Sequence, residues 1–290
     1  MNGLLIIDKP AGMTSHDVVS IVRRATGERS VGHLGTLDPM ATGVLPLLLG
    51  KYTRLAQFFS DSDKQYTGTI RFGFATDTFD ADGKPQSEPA ALGLTLSELR
   101  ELANRFHGTI DQVPPVYSAK KIGGIPAHKL ARAGKEVQVK AARITIYAFT
   151  IESLEGETAS FAMHVSAGGY VRSVAHELGQ LAGCGAHLAS LRRTKAGPFT
   201  LAHSMTVDEL KSLAPAEIQL QLPHPRAILP DLPSVIVDEL TAGRIRNGMQ
   251  VNVQELSSAP LIKVFSGPRD LLCIARRIAG TLVQPVVVLG

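Results

Sequence analysis

The stretch that most constrains this chain is Val31 to Pro46, VGHLGTLDPMATGVLP, with three glycines (Gly32, Gly35, Gly43) and two prolines (Pro39, Pro46). That density of breakers fits neither an uninterrupted helix nor an uninterrupted strand. Glycine allows positive φ and close backbone approach, whereas proline fixes φ and pushes the preceding residue towards extended geometry. The residue before Pro39 is Asp38, so the backbone of that acid is restricted. The stretch holds no second acid, and its other ionisable side chain is His33. A loop that gives up regular structure to present one carboxylate and one imidazole reads as a site. The competing reading is an Asx-turn, in which Asp38 bonds its own backbone.

At 290 residues the length predicts about two domains. With 44% hydrophobic and 19% charged residues, the composition is that of a globular protein. No apolar run approaches the ~20 residues of a spanning helix, so no membrane partner is expected. The opening MNGLLIIDKP meets Asp8 and Lys9 too early for a signal peptide. Cys184 and Cys273 lie far apart without CxxC spacing, which supports neither a zinc site nor a disulfide framework and fits a reducing cytoplasm. The net charge is +4 and the sequence pI about 9.1, unevenly spread. Residues 116–143 carry seven basic side chains against Glu136, and residues 77–111 carry seven acids against Lys84, Arg100 and Arg105. A polyanion-binding face and a separate solvated acidic face are expected.

In chain order, Gly3–Asp8 predicts a buried strand. A helix follows, with capping-box character at Thr14-x-x-Asp17 and Gly27 as its stop. Period-two alternation from Tyr66 to Phe74 predicts a strand pointing Tyr66 inward at its end. The turn Asp77–Gly83, DTFDADG, lacks the spacing and terminal Glu of an EF-hand loop, which excludes calcium on that pattern. Helices are expected over 96–106, 127–133 and 171–181, and strands over 136–152, 158–166 and 186–193. Tyr170 and Arg172 sit at a strand-to-helix junction, where free N–H groups favour anions. Prolines cluster at Pro223, Pro225, Pro230 and Pro233 as a linker, and short β-rich segments beyond it predict a small barrel of about 60 residues.

Taken together, GHLGTLDPMATGVLP, the preceding DKPAGMTSHD, YTGTIRFGFATDTFDADG, GGYVRSVAHELG and GAHLASLRR resemble the bacterial tRNA pseudouridine-55 synthase (TruB) family. The resemblance spans residues 3–200, and the tail with RIRNGMQV resembles a PUA domain. It implies an α+β pseudouridine synthase fold, with a mixed, mainly antiparallel sheet flanked by helices, plus a small C-terminal PUA-like β-barrel. The implied division is a catalytic domain over 1–225 and an RNA-binding domain over 226–290. The implied activity is isomerisation of uridine-55 in the tRNA T-loop to pseudouridine, without cofactor or metal, by a cytoplasmic enzyme acting as a monomer. The family's catalytic aspartate falls on Asp38. Its loop histidine, associated with flipping out the target nucleotide, falls on His33, and the aromatic that stacks on the uracil falls on Tyr66. Tyr170 matches a substrate-contacting tyrosine and Arg172 the arginine that pairs with the aspartate. Leu191 matches a residue lining the base pocket, and Lys9 with Pro10 a pair that supports it.

The chemistry accounts for these residue types independently. Extruding a stacked base costs a few kcal/mol, and stacking on an aromatic returns ~1–3 kcal/mol. A carboxylate can attack C1′ or remove a proton from C2′; the residues do not choose between these routes. Either route needs Asp38 ionised in a dry pocket, hence an isolated acid with an arginine partner. A hydrolytic glycosidase would ordinarily need a second carboxylate across the bond. A guide-RNA-dependent pseudouridine synthase, and an RNA-folding protein whose catalysis is incidental, are the alternatives to the stand-alone tRNA enzyme.

Overall fold

Alternation along β1 (Gly3–Lys9) sends Leu5 and Ile7 to one side and Leu4 and Ile6 to the other, and both sets are buried. The strand therefore lies between two layers, and this arrangement organises the molecule. The computed structural model describes residues 1–117, 121–122, 125–126 and 140–290. The helix expected over 127–133 and most of the basic block lie outside the described residues.

After β1 come α1 (Ser15–Thr26), β2 (Val31–His33), β3 (Thr42–Leu49), a 3-10 helix (Gly50–Phe59) and β4 (Lys64–Phe72). Next are α2 (Leu96–Asn104), β5 (Gly108–Gln112), the short pair β6 (Lys121–Ile122) and β7 (Ile125–Pro126), β8 (Ala142–Glu155) and β9 (Thr158–Val165). The elements of the large sheet and its helices end with α3 (Val171–Leu181), β10 (Ala186–Ala196), β11 (Phe199–Thr200), β12 (Met205–Thr206), α4 (Val207–Ser212) and α5 (Pro215–Gln221). The tail holds β13 (Ser234–Ile236), α6 (Glu239–Arg246), β14 (Val251–Asn252), β15 (Leu261–Phe265), β16 (Leu271–Ala279) and β17 (Leu282–Val288). The capping box at α1 forms as expected: Thr14 Oγ1 accepts from the Asp17 amide, and the Asp17 carboxylate accepts from the Thr14 amide.

The large sheet runs β12-β1-β3-β10-β4-β9-β8-β5, with β2 added to β3 and β11 to β10. Its pairs are antiparallel except β1 with β12 and β3 with β10. One face is covered by α1 to α5 around a core that includes Val18, Leu99, Val174, Leu210 and Ile218. Behind β1 and β3, Leu4, Ile6, Val44 and Leu48 share a second cluster with Phe265, Leu271, Ile274 and Val287 of the C-terminal sheet. That sheet, in the order β13-β15-β16-β17-β14, is the small PUA-like unit. Lys263 on β15 is buried and donates to the carbonyls of Arg226, Ile228 and Leu229 (2.6, 3.1 and 3.0 Å), fastening the connecting segment. Among the described residues no helix is long and apolar enough to cross a membrane.

The breaker-rich stretch is more ordered than its composition suggests. Its ends are strands, His33 pairing with Leu47 across β2 and β3, and only Leu34 to Ala41 loops out. Strand pairing satisfies the backbone N–H and C=O groups on either side of that loop. Gly43 is required where it stands: its φ is +103°, and a Cβ there would lie 2.2 Å from the Arg193 carbonyl oxygen. Registers align Lys9 with Gly43, Gly43 with Arg193, and Arg193 with Tyr66 across four neighbouring strands. Residues in one such row share a face. Lys9, Arg193 and Tyr66 therefore point to the helix-covered side, beneath the Leu34–Ala41 loop.

Candidate active site

Two buried cations set the backbone of the loop. Lys9 Nζ donates to the carbonyls of Pro10, Met13 and Pro39 (2.9, 2.6 and 3.2 Å). Arg193 Nε donates to Val44 O (2.7 Å), and its Nη atoms reach Gly35 O (3.1 Å) and Thr36 O (3.5 Å). The Ser15 hydroxyl accepts from the Leu37 amide (2.8 Å), and Gly12 N donates to Pro39 O (2.9 Å). Both loop shoulders are thus tied down, and Asp38 lies between them. Burial pushes the Lys9 ammonium down to about 8, with Arg193 adding to the effect and Asp38 opposing it.

Asp38 does not brace its own turn. Its Oδ2 lies 2.8 Å from Arg172 Nε, and its Oδ1 accepts from Arg172 Nη2 at 3.0 Å. The hydrogen bond is carried by Nη2, and the close Nε–Oδ2 approach is an ion-pair contact without hydrogen-bond geometry. Arg172 is buried in the first turn of α3 and spends its other donors nearby: Nη1 on Thr78 O (3.1 Å) and Nη2 on Tyr117 O (3.0 Å). Burial raises the pKa of Asp38 above the ordinary carboxylate value; Arg172 opposes this, and Asp80 reinforces it.

Asp80 corrects one expectation. The acids of the DTFDADG turn were expected on a separate solvated face, leaving Asp38 isolated. Instead Asp80 is buried, and its Oδ2 lies 3.4 Å from Arg172 Nη1. The cause is α3, which carries Arg172 across the turn and draws one carboxylate inward. The two acids remain unequal: the Asp38 side chain is 32% exposed and the Asp80 side chain 7%. Asp80 lies behind the guanidinium, away from the open space, and is not a second acid facing across a scissile bond.

That open space is a cavity of about 240 Å³ lined by Asp38, Lys64, Tyr66, Tyr170, Arg172, Leu191 and Arg193, with backbone from Gly35–Leu37 and Gly168–Gly169. At about 30 Å³ per water it holds far more than an isolated solvent molecule. Tyr170 is fixed through its backbone: its N donates to Gln112 Oε1 (2.8 Å), and Gln112 Nε2 donates back to its carbonyl (3.0 Å). Of the predicted site residues, Asp38, Tyr66, Tyr170, Arg172 and Leu191 meet at the cavity. Lys9 and His33 do not line it. Lys9 holds the loop from beneath, while His33 ends β2 with a buried Nδ1 that has no partner among the described residues. Burial, with Arg193 nearby, lowers the pKa of His33 and favours the neutral ring.

Sequence reasoning missed Asp80, Lys64 and Arg193 as parts of this centre. Strand parity was the available signal for Arg193. It lies two residues from Leu191, so a strand that turns Leu191 inward turns Arg193 inward too. Among the described residues no group of three or more His, Cys, Asp or Glu side chains is arranged to hold a metal ion.

Known proteins resemble this chain over most of its length. The family described as "TruB family pseudouridylate synthase (N terminal domain)" matches residues 23–171, and "tRNA pseudouridylate synthase B C-terminal domain" matches residues 172–228. A protein of Solibacter usitatus (strain Ellin6076) named tRNA pseudouridine synthase B is 44% identical over 294 residues, covering 100% of both chains. One of the same name from Geotalea uraniireducens (strain Rf4) is 42% identical over 250 residues, 86% of this chain and 81% of that one. Among solved structures, the archaeal box H/ACA sRNP Nop10–Cbf5 complex contains a chain with the same fold. Its TM-score is 0.71 at 22% identity, over 99% of this chain and 86% of the other.

Proposed function

Because the chain belongs to the TruB family of pseudouridylate synthases and is a tRNA pseudouridine synthase, we propose that Asp38 is its catalytic carboxylate and uridine-55 in the tRNA T-loop its target. The observation that carries the assignment is the Asp38–Arg172 pair opening onto a cavity that also holds Tyr66, Tyr170 and Leu191.

In this reading the uridine is drawn from the folded T-loop at a cost of a few kcal/mol, and its base enters the cavity. Stacking on Tyr66 offsets about 1–3 kcal/mol of that cost, and Leu191 and Tyr170 bound the rest of the pocket. His33, neutral and at the rim of the loop strand, assists extrusion. Asp38 acts in its ionised form at C1′ or on the C2′ proton. The N1–C1′ bond breaks, the uracil turns over, and C5 bonds to C1′. The proton on C5 is lost and N1 gains one, so the product is an isomer of the substrate. Arg172 keeps a charged oxygen pair in place against desolvation. Lys9 and Arg193 are positioning residues: they hold the loop carbonyls on either side of Asp38 and so fix where the carboxylate points.

Action as a monomer in the cytoplasm is part of the same reading. In this reading residues 1–225 serve catalysis and 226–290 added RNA contact, a division supported by the change from the large sheet to the small one.

The test is Asp38→Asn, which keeps the shape and removes the charge. Turnover, read as tritium released from C5-labelled uridine in tRNA, is expected to fall by 10²–10⁴-fold or more, roughly the range of a proton-transfer or nucleophilic group. Filter binding to the same tRNA should stay within about twofold of the parent. Product at a tenth of the parent rate would remove Asp38 from the chemistry. Tyr66→Ala is expected to lose turnover more than binding; a loss confined to affinity would contradict the stacking role.

A further inference from the structure

Phe79 is a bulky residue with a φ of +65°, a left-handed conformation usually left to glycine or asparagine. It lies between the two residues of its turn that Arg172 engages: the Thr78 carbonyl (3.1 Å) and the Asp80 carboxylate (3.4 Å). Its ring stacks on His176 with centroids 3.9 Å apart and planes 15° apart. His176 is one helical turn from Arg172 on α3, so the two side chains lie on the same face of that helix. Three consecutive residues of the turn are therefore gripped by one helix face: a carbonyl, a ring and a carboxylate.

Both partners of the stack carry a cost. A non-glycine residue in this region costs of order 1–3 kcal/mol and persists only where its surroundings over-determine it. The buried Nδ1 of His176 has no hydrogen-bond partner among the described residues. The turn is also sewn to β10, Leu188 N donating to Phe79 O and Ala81 N to Leu188 O, both at 3.0 Å. Those bonds use backbone atoms alone, so glycine at position 79 would keep them without strain. What the phenyl ring adds is its stack on His176.

We propose that the Phe79–His176 stack is a positioning device for the Asp38 centre: it locks the height of the turn on α3 and so fixes how Arg172 is shared between Asp38 and Asp80. Loss of the ring lets the turn shift against the helix. Arg172 follows Thr78 O and Asp80, and the Asp38 carboxylate loses its fixed orientation while the cavity walls stay in place. This inference rests on the assignment of Asp38 as the catalytic carboxylate.

The experiment compares Phe79→Gly, His176→Ala, His176→Phe and the Phe79→Gly/His176→Ala double variant in the full chain, with Asp38→Asn alongside. Single-turnover pseudouridine formation, tRNA affinity and thermal midpoint are measured for each. Phe79→Gly and His176→Ala are each expected to lower the single-turnover rate roughly ten- to a hundredfold. Affinity should change less than about twofold, and the double variant should be no slower than the worse single. His176→Phe, which keeps a flat ring against Phe79, should recover most of the rate lost in His176→Ala. Rates within twofold of the parent in folded Phe79→Gly and His176→Ala, or strictly multiplying effects in the double variant, would overturn the inference. If Phe79→Gly fails to fold, His176→Ala against His176→Phe decides alone: equal rates in that pair overturn it. Should Asp38→Asn itself turn over, the underlying assignment fails; an inactive Asp38→Asn beside fully active stack variants defeats only the stack.

Discussion

Two lysines, Lys9 in the catalytic sheet and Lys263 in the C-terminal one, are buried to 0% and 2% exposure, and each donates to three backbone carbonyls. Neither has a carboxylate within salt-bridge distance among the described residues. Their surroundings differ. Lys9 underlies a loop that presents Asp38 to a cavity, with Arg193, Arg172 and Asp80 close by. Lys263 underlies a connecting segment beside an apolar cluster that joins the two sheets. The same device, an ammonium satisfied by carbonyls, serves accuracy in one place and attachment in the other. A buried lysine of this kind is therefore not by itself a sign of chemistry; what it holds decides.

The largest expected effect that bears on this contrast is from Lys9→Met. It removes the donors to Pro39, Met13 and Pro10 while keeping an unbranched buried chain. The account expects kcat to fall roughly a hundredfold, the cost of a misplacement near 1 Å, with tRNA affinity little changed. Steady-state kinetics beside filter binding reads both, and a normal kcat would break the contrast at its catalytic end.

Asp80→Asn sharpens the electrostatic half. Burial and Asp80 raise the pKa of Asp38, so activity is lost on acidification as pH falls through that raised value. Removing the Asp80 charge lowers the pKa of Asp38, so the acid limb of kcat should move to lower pH, while the plateau falls about tenfold as Arg172 reorients. A pH–rate profile displaced to higher pH, or not displaced, would contradict the arrangement.

Lys263→Met should have the smallest effect on turnover. It leaves three carbonyls without a donor, at about 1–3 kcal/mol of stability, and lowers the thermal midpoint by several degrees. kcat on saturating tRNA should stay within twofold. A catalytic loss as large as that of Lys9→Met would show that the connecting segment shapes the active site after all.

Much of this centre was legible in the sequence. Asp38 before Pro39, the lone acid of its loop, is where the structure has a partly exposed carboxylate, and Arg172 at a strand-to-helix junction is its partner. Alternation turned Tyr66 inward, and the β-rich tail after the prolines became a second sheet. Asp80 was illegible because an Asp in a DxDG turn ordinarily faces water; its burial depends on a helix whose contact comes from 92 positions away in Arg172. The strands at the ends of the breaker-rich stretch were hidden for a similar reason. Gly32, Gly43 and Pro46 argue locally against pairing; β3 overrides this for Gly32, and β1 and β10 override it for Gly43 and Pro46. Interactions within one turn of chain were readable, and those that close over long separations were not.

The most direct measurement is a structure of the chain bound to a T-arm RNA whose target uridine carries fluorine at C5, which blocks loss of the proton from that carbon. The account predicts the base extruded into the cavity, its face against Tyr66, and an Asp38 oxygen beside C1′ or C2′ with Arg172 still paired behind it. A base seated elsewhere, or an Asp38 carboxylate turned away from the ribose and shielded by Arg172, would contradict it.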